Sequence, residues 1–433
     1  MNAPPPPMSR RRLLGLDRAP RSAPPGAPDS VAPAAPRAPV AADVRRPRWA
    51  AADSAAMPPP DPAVHLLSRA AFGPSAADLA RVRAIGTAAW IDEQLAYEAI
   101  DDEGVEAPLR DGLPTLALPP GELSQLVPRT FHFPDVLNAA TFYRQTFSPR
   151  QLFEVMVDFW SDHFSIYQYQ EGVDWFKTVD DREVIRPHAL GHFRDLLAAS
   201  AHSPAMLIYL NNTENLKGKP NENYAREIME LHTLGAAVDG APYTEDDVLE
   251  VARCFTGWTR NTKWQTPAFG TFEFRPHDHD DGPKRVLGHA IPAGGGPQDG
   301  RIVLELLCDH PATGPFLAAK LVRRFVADDP LAAAPALVAH VAEVYRATGG
   351  DIRAMVRAVL TSTEFAAAFG RHGGKLARPM ELAVRMMRAI GAPQGWLVPQ
   401  FGDRSQAFPL WYEQLVGYNG HMFKLGQIPF GWL

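Results

Sequence analysis

One stretch of the chain, residues 148–163, has the clearest helical periodicity in the sequence. Ser148 and Pro149 are residues that commonly begin a helix. The apolar residues that follow share one helical face, which His163 extends: Leu152, Phe153, Met156, Phe159 and Trp160. A segment of this kind buries its apolar face by packing against other elements. The pattern therefore predicts that helices dominate this fold.

Helix-start signals recur along the rest of the chain. Asp61-Pro62 and Ser203-Pro204 repeat the combination of a cap and a proline, and Ser75 begins a helix that Gly86 ends. Further helices are predicted over residues 222–234, 244–257, 299–309, 312–327, 331–347, 351–367 and 376–390. The predicted fold class is mainly α, a large multi-helix domain over residues 61–433.

One region departs from the helical pattern. Residues 271–275 alternate polar and apolar side chains, as a half-buried strand does. The turn-like residues 277–282 follow, and then residues 285–288. This order predicts one small β-hairpin, inserted between helices at about residues 270–290.

The first sixty residues have a different composition. They hold 15 of the 42 prolines, and nine Arg against four Asp, a net charge of +5. Such a segment has too little apolar surface to offset the entropy lost on ordering, so residues 1–60 are predicted to be a disordered leader. The remainder carries −11, which argues against general nucleic-acid binding because that needs a basic face.

The compartment follows less directly from the sequence. The segment from Ser9 to Leu14 is similar to a twin-arginine export signal, but no apolar h-region follows it. As written, the chain is predicted to be cytoplasmic. No run of about 18 apolar residues indicates a transmembrane helix. The two cysteines belong to no CxxC pair, and Cys254 lies in an apolar helical pattern that favours a buried, unreactive thiol.

The segment from Asn221 to Gly235 is the polar-rich helix of the chain. On a wheel of about 100° per residue, Arg226, Glu227 and Glu230 share one face with Asn223, whereas His232 lies almost opposite Glu230. Glu227 and Glu230 are therefore candidate ligands of a divalent metal ion whose site other helices complete. The alternative is an ordinary ion pair between Arg226 and Glu230 on a solvated face.

His163 is a second candidate. It ends an aromatic helical stripe, where it is either a satisfied core histidine or a functional group, namely a general base or a metal or haem ligand. Two polar loops are weaker candidates. Residues 277–281 (HDHDD) have metal-ligating side chains in a turn, and residues 211–215 (NNTEN) have oxygen donors that suit calcium. Turn chemistry is the simpler interpretation of both.

Several segments in order resemble a bacterial family known as domain of unknown function 1800. The resemblance covers residues 61 to 433 and lies in these motifs: residues 65–73 (HLLSRAAFG), 159–164 (FWSDHF), 182–187 (REVIRP), 221–235 (NENYAREIMELHTLG), 243–248 (YTEDDV), 256–258 (TGW), 279–284 (HDDGPK) and 310–311 (HP), with Lys320-Leu321 and Phe325-Val326 downstream.

The resemblance implies a mostly helical fold in exported or envelope-associated proteins, often encoded beside a second uncharacterised protein. It implies no reaction, but it adds weight to Arg226, Glu227, Glu230 and His163, which lie inside the motifs. The family's domain typically continues past a motif like residues 426–432 (GQIPFGW), so a chain that ends at Leu433 is predicted to be incomplete at its C-terminus.

Two functions are compatible with these features. The first is a metal-assisted enzyme whose catalytic groups are Arg226, Glu227, Glu230 and His163, because ionisable groups clustered on otherwise apolar helices often mark sites. The second is a non-catalytic module that binds an envelope component or a co-encoded partner protein. It is favoured by the lack of any recognised catalytic motif.

Overall fold

The computed structural model describes residues 61–125, 133–174, 176–236, 242–368 and 375–396. The predicted disordered leader, residues 1–60, lies outside the described residues. So does the end of the chain, residues 397–433, on which the predicted C-terminal incompleteness depends. All the described helices belong to one compact unit, Pro60–Trp432.

The first helices begin and end where their capping residues predict. The Asp61 side chain accepts a hydrogen bond from the backbone N–H of Ala63 at 2.8 Å, and Ser75 caps the next helix in the same way. Gly86 ends that helix at φ +87°. The helices of the first half are Pro62–Ala70 (α1), Ala76–Ile85 (α2), Thr87–Leu95 (α3), Glu103–Gly112 (α4), Pro120–Leu123 (α5), Phe133–Phe147 (α6), Gln151–His163 (α7), Lys177–Asp180 (α8), Arg186–His188 (α9), Phe193–Ala201 (α10) and Pro204–Tyr209 (α11).

A π-helical turn, Asp181–Ile185, joins α8 to α9, and we call it the first π turn. Its hydrogen bond runs from the backbone N–H of Arg186 to the carbonyl of Asp181, five residues back. The sequence explains this wider turn. Pro187 has no N–H to donate, and inside a regular helix its ring would clash with the carbonyl four residues earlier.

The second half of the chain is also helical, and it contains a second π turn at Ile228–Thr233. Residues 331–347 and 351–367 were each predicted as one helix, but each is two. Pro335 begins a new helix, and the Ser362 side chain caps another. The helices are Glu222–Glu227 (α12), Glu245–Phe255 (α13), Pro297–Asp309 (α14), Thr313–Phe325 (α15), Pro330–Ala333 (α16), Pro335–Thr348 (α17), Ile352–Leu360 (α18), Thr363–Ala367 (α19) and Pro379–Ala389 (α20).

The inserted β structure is small and antiparallel, but the strands pair differently from the prediction. Trp258–Arg260 (β1) pairs with Phe272–Phe274 (β2), and Lys284–Val286 (β3) pairs with His289–Ile291 (β4). The second pair forms a tight hairpin because Leu287 and Gly288 both have positive φ, 48° and 82°. Both predicted segments therefore contain a strand, but each strand pairs with a partner other than the predicted one.

The core is a helix-on-helix core, as the periodicity predicts. Trp90 on α3, Trp160 on α7 and Trp258 on β1 are almost fully buried in one continuous apolar cluster. Both cysteines, Cys254 on α13 and Cys308 on α14, are buried and free, and burial raises the pKa of each thiol to about 12. Among the described residues, no helix has both the length and the apolar character needed to cross a membrane.

Candidate functional site

Arg226, the first predicted site residue, is held by two glutamates. Its Nη2 atom lies 3.1 Å from the carboxylate of Glu222 and 2.6 Å from that of Glu245 on α13. The ion pair predicted as the alternative, Arg226 with Glu230, is replaced by these two. The difference between the predicted and the observed partners of Arg226 has a physical reason. Arg226 is near the end of α12, and the helix widens into the second π turn before it reaches Glu230.

Glu227 and Glu230, the predicted metal ligands, lie on either side of this change in helical geometry. Glu227 is the last residue of α12, and Glu230 is a buried residue of the second π turn. A wheel of about 100° per residue therefore misplaces Glu230 relative to Glu227. Within the described ranges no three His, Cys, Asp or Glu side chains are grouped so that they could hold a metal ion. A divalent metal at these glutamates stays a prediction.

His163 is buried at the end of α7 and hydrogen-bonded through both ring nitrogens. Nε2 lies 3.0 Å from the backbone carbonyl of His232, and Nδ1 lies 2.9 Å from Nζ of Lys320 on α15. Because a carbonyl only accepts, Nε2 carries the proton and Nδ1 accepts from the ammonium group. Lys320 also donates to the carbonyl of Leu231 at 3.3 Å. We call His163, Lys320 and the carbonyls of Leu231 and His232 the His163 clamp, which links α7, the second π turn and α15.

The contacts of His163 involve the side chains of His232 and Lys320, which were not singled out as site residues from the sequence. The wheel places His232 opposite Glu230, but the described contacts join it to His163, with the two rings 5.9 Å apart. Lys320 lies 157 positions from His163 in the chain, and its only sequence signal was the Lys320-Leu321 motif. The contacts described for His163 and Arg226 involve different partners, so these contacts do not join the two predicted residues.

The two polar loops are occupied by structural contacts. His277 has an exposed side chain, whereas His279 is fully buried. Nδ1 of His279 lies 2.8 Å from the carbonyl of Thr256, and Nε2 lies 3.3 Å from Asp299. Asp299 also receives a hydrogen bond from the buried Lys284 at 2.7 Å. The two histidines of this loop therefore lie in different environments, and His279 anchors the loop to Thr256 and Asp299.

The oxygen-rich loop at residues 211–215 organises the backbone around it. Nδ2 of Asn212 donates to the carbonyls of Phe255 and Trp258 at 3.2 and 2.9 Å. Nδ2 of Asn215 donates to the Asn212 side chain at 3.0 Å, and Oδ1 of Asn215 accepts from the backbone N–H of Asn221 at 2.9 Å. These bonds match the turn interpretation of the loop.

A cavity of about 440 Å³ lies beside the first π turn. The helices α4, α6 and α7 and the first π turn supply its walls, and we call it the Asp102 cavity. Its lining includes leucines and Phe153. It also includes three carboxyl groups and five guanidinium groups: Asp102, Glu106, Asp181, Arg110, Arg144, Arg150, Arg182 and Arg186.

Asp102 is a carboxyl group of this cavity whose pKa is strongly raised. It precedes α4 and is 5% exposed. Oδ2 accepts a hydrogen bond from the Ser148 hydroxyl at 3.0 Å, while Oδ1 is buried with no partner among the described residues. Burial, and next the nearby charge of Glu154, raise the pKa of Asp102 from 3.8 to about 6. Asp102 therefore changes protonation state close to neutral pH.

Glu106 lies one helical turn further along α4 and behaves oppositely. Burial alone would raise the pKa of Glu106, but its two hydrogen bonds from Arg144, at 2.7 and 2.8 Å, and the Arg144 charge lower it. Asp102 and Glu106 thus line the same cavity, and their surroundings favour the protonated form of Asp102 and the ionised form of Glu106.

The first π turn adds Asp181 and leads into Arg186. Burial raises the pKa of Asp181, which is 3% exposed. Arg186 pairs with the buried Glu154 through two hydrogen bonds, at 2.5 and 3.1 Å. Arg150 uses two of its donors on the carbonyl of Ile100. Each guanidinium group has five N–H donors, so these arginines retain donors for an anionic group in the cavity.

This arrangement can protonate a leaving group, stabilise an ionised carboxylate and bind negative charge. Sequence reasoning missed it because its residues come from four separated segments. The only signal was the motif at residues 182–187, which ends at the proline responsible for the π turn. Asp102 and Glu106 lie outside every motif.

Comparison with known proteins assigns the chain to a family. No curated protein matches it, and no solved structure matches it. A family model described as "Protein of unknown function (DUF1800)" matches residues 65–433. This match covers well over half of the chain and all the motifs above. The chain therefore belongs to the DUF1800 family.

Proposed function

We propose that this protein is a hydrolase that cleaves a small anionic ester or glycoside in the Asp102 cavity. One observation carries the proposal. Asp102 and Glu106, one helical turn apart and both lining this cavity, have pKa values driven in opposite directions by their surroundings. Paired carboxyl groups whose pKa values diverge in this way are the usual division of labour between a general acid and an ionised partner.

The roles follow from the two protonation states. Protonated Asp102 gives its proton to the leaving oxygen as the substrate bond breaks. Ionised Glu106, fixed by Arg144, orients the attacking water and takes up its proton. The Glu106 side chain is 34% exposed, so water reaches this end of the cavity. The remaining donors of Arg150 and Arg186 bind the negative charge of the substrate.

The proposal is tested with matched p-nitrophenyl substrates that differ in one charged group. The β-glucuronide is compared with the β-glucoside, and the phosphate and sulfate esters are compared with the acetate. We expect faster cleavage of an anionic member and a rate that falls above pH 6, since the general acid must be protonated. Asp102→Asn should abolish that cleavage, whereas Asp111→Asn, a change at an exposed aspartate of α4, should leave it unchanged.

Two results would contradict the proposal that the Asp102 cavity is the active site. If a Glu227→Ala/Glu230→Ala double variant lost the activity while Asp102→Asn kept it, the reaction would belong to the predicted site of Arg226, Glu227, Glu230 and His163. Metal analysis of that variant would then test the predicted divalent ion. If no anionic substrate were cleaved, the hydrolase proposal would fail and the partner-binding alternative, including the co-encoded protein, would gain.

A further inference from the structure

Three arginines from separate helices meet on another part of the molecule. Arg69 is in the last turn of α1, Arg324 is in the last turn of α15, and Arg385 is on α20. Nη2 of Arg385 donates to the carbonyl of Ser68, the neighbour of Arg69, at 3.2 Å. Arg324 lies 3.3 Å from Glu381, which shares a helical face with Arg385 one turn away. We call Arg69, Arg324 and Arg385 the arginine cluster.

The carboxylates around the arginine cluster are largely committed to other cations. Arg378 binds Asp158, Asp162 and Glu381. Lys375 binds Asp328 at 2.9 Å. Glu381 is therefore shared between Arg324 and Arg378. No described carboxylate pairs with Arg69 or Arg385, so the cluster carries excess positive charge.

Hydrogen-bond donors of the cluster are also unused. The Nε atoms of Arg324 and Arg385 are buried and have no partner among the described residues. The Arg324 side chain is only 12% exposed, so water has little access to it. A buried donor without an acceptor costs free energy and calls for a partner. The negative ends of α1 and α15 favour two of these arginines, but backbone dipoles do not satisfy the Nε donors.

The repulsion within the cluster is visible at Arg69. Burial, and next the charge of Arg324, lower the pKa of the Arg69 guanidinium, and the charge of Arg385 acts in the same direction, while the charges of Asp328 and Glu381 offset part of this effect. A bound anion would remove both the repulsion and the unmet hydrogen bonds.

We propose that the arginine cluster binds a small tetrahedral oxyanion, phosphate or the phosphate group of a monoester. Guanidinium groups match this chemistry because their planar donors pair with two oxygens at once. The site is separate from the Asp102 cavity and does not depend on the hydrolase proposal.

The test is isothermal titration of the full chain with inorganic phosphate, sulfate and acetate in a buffer free of other oxyanions. We expect one phosphate per chain, weaker sulfate binding and no acetate binding. Arg69→Gln and Arg385→Gln should each weaken phosphate binding at least tenfold. Arg301→Gln, which changes an exposed arginine of α14, is the matched control and should bind as the original chain does.

Unfolding measurements separate a binding role from a purely structural one. Without phosphate, Arg69→Gln should be as stable as the original chain or more so, because the change removes repulsion. Phosphate should raise the melting temperature of the original chain but not of this variant. Absent phosphate binding, equal weakening in Arg301→Gln, or a lower stability of Arg69→Gln with unchanged binding would each overturn the proposal.

Discussion

The two π turns of the described chain have the same backbone geometry but different surroundings. The first, Asp181–Ile185, borders the Asp102 cavity, which is lined by carboxyl and guanidinium groups. The second, Ile228–Thr233, is closed by the His163 clamp, whose carbonyls, imidazole and ammonium are bonded to one another. π turns are often found at functional sites. The two turns therefore differ in what they offer a ligand, because the first borders a cavity lined by ionisable groups and the second is filled by its own hydrogen bonds.

The largest effect is expected from the ion pair behind the first π turn. Glu154→Gln leaves the largely buried Arg186 charge without its paired carboxylate, which should cost about 3–5 kcal/mol of unfolding free energy. Urea unfolding at pH 7 measures it. Glu343→Gln is the control, since it breaks an exposed pair with Arg346 and should cost less than about 1 kcal/mol. Similar costs in both variants would show that the cavity wall is not held by this pair.

A smaller effect is expected at the second π turn. Lys320→Met removes the donor to Nδ1 of His163 and to the Leu231 carbonyl, which should cost about 2 kcal/mol, the range for hydrogen bonds that involve a charged group. Denaturant unfolding beside Lys217→Met, a change at an exposed lysine, measures the loss. If the Lys320 variant were equally stable or more stable, the clamp would be a poor description. The prediction that His163 serves a reaction would then gain, because functional residues are often held at a cost in stability.

The third effect is a change in the pH dependence of stability at the Asp102 cavity. Because the pKa of Asp102 is raised from 3.8 to about 6, the folded chain binds its proton more tightly than the unfolded chain does. Stability from this group is therefore fully present below pH 3.8 and is lost as the pH rises through about 6. Asp102→Asn should reduce the decline in unfolding free energy between pH 4 and pH 7 by about 2 kcal/mol. An unchanged decline, with Asp111→Asn as reference, would remove Asp102 as the proposed acid.

The sequence predicted what depends on neighbouring residues and missed what depends on distant ones. Asp61 and Ser75 marked helix starts correctly because a cap acts within one turn, and Pro204 marked another because proline suits the first turn of a helix. The pairing of residues 271–275 was wrong because strand partners are chosen by tertiary contacts, here with β1. The wheel for Glu227 and Glu230 assumed a regular helix, and no proline marks the second π turn. The Asp102 cavity needs four segments to meet, which no local pattern encodes.

The burial of the two thiols on α13 and α14 limits their oxidation to molecules that have unfolded. With pKa values near 12 and no access to solvent, Cys254 and Cys308 have almost no thiolate for oxidants or for another chain to attack. They are the only two sulfhydryl groups of the chain. Covalent dimers in an ageing sample would therefore record how often molecules have unfolded, because only an opened molecule exposes a sulfur to oxidation.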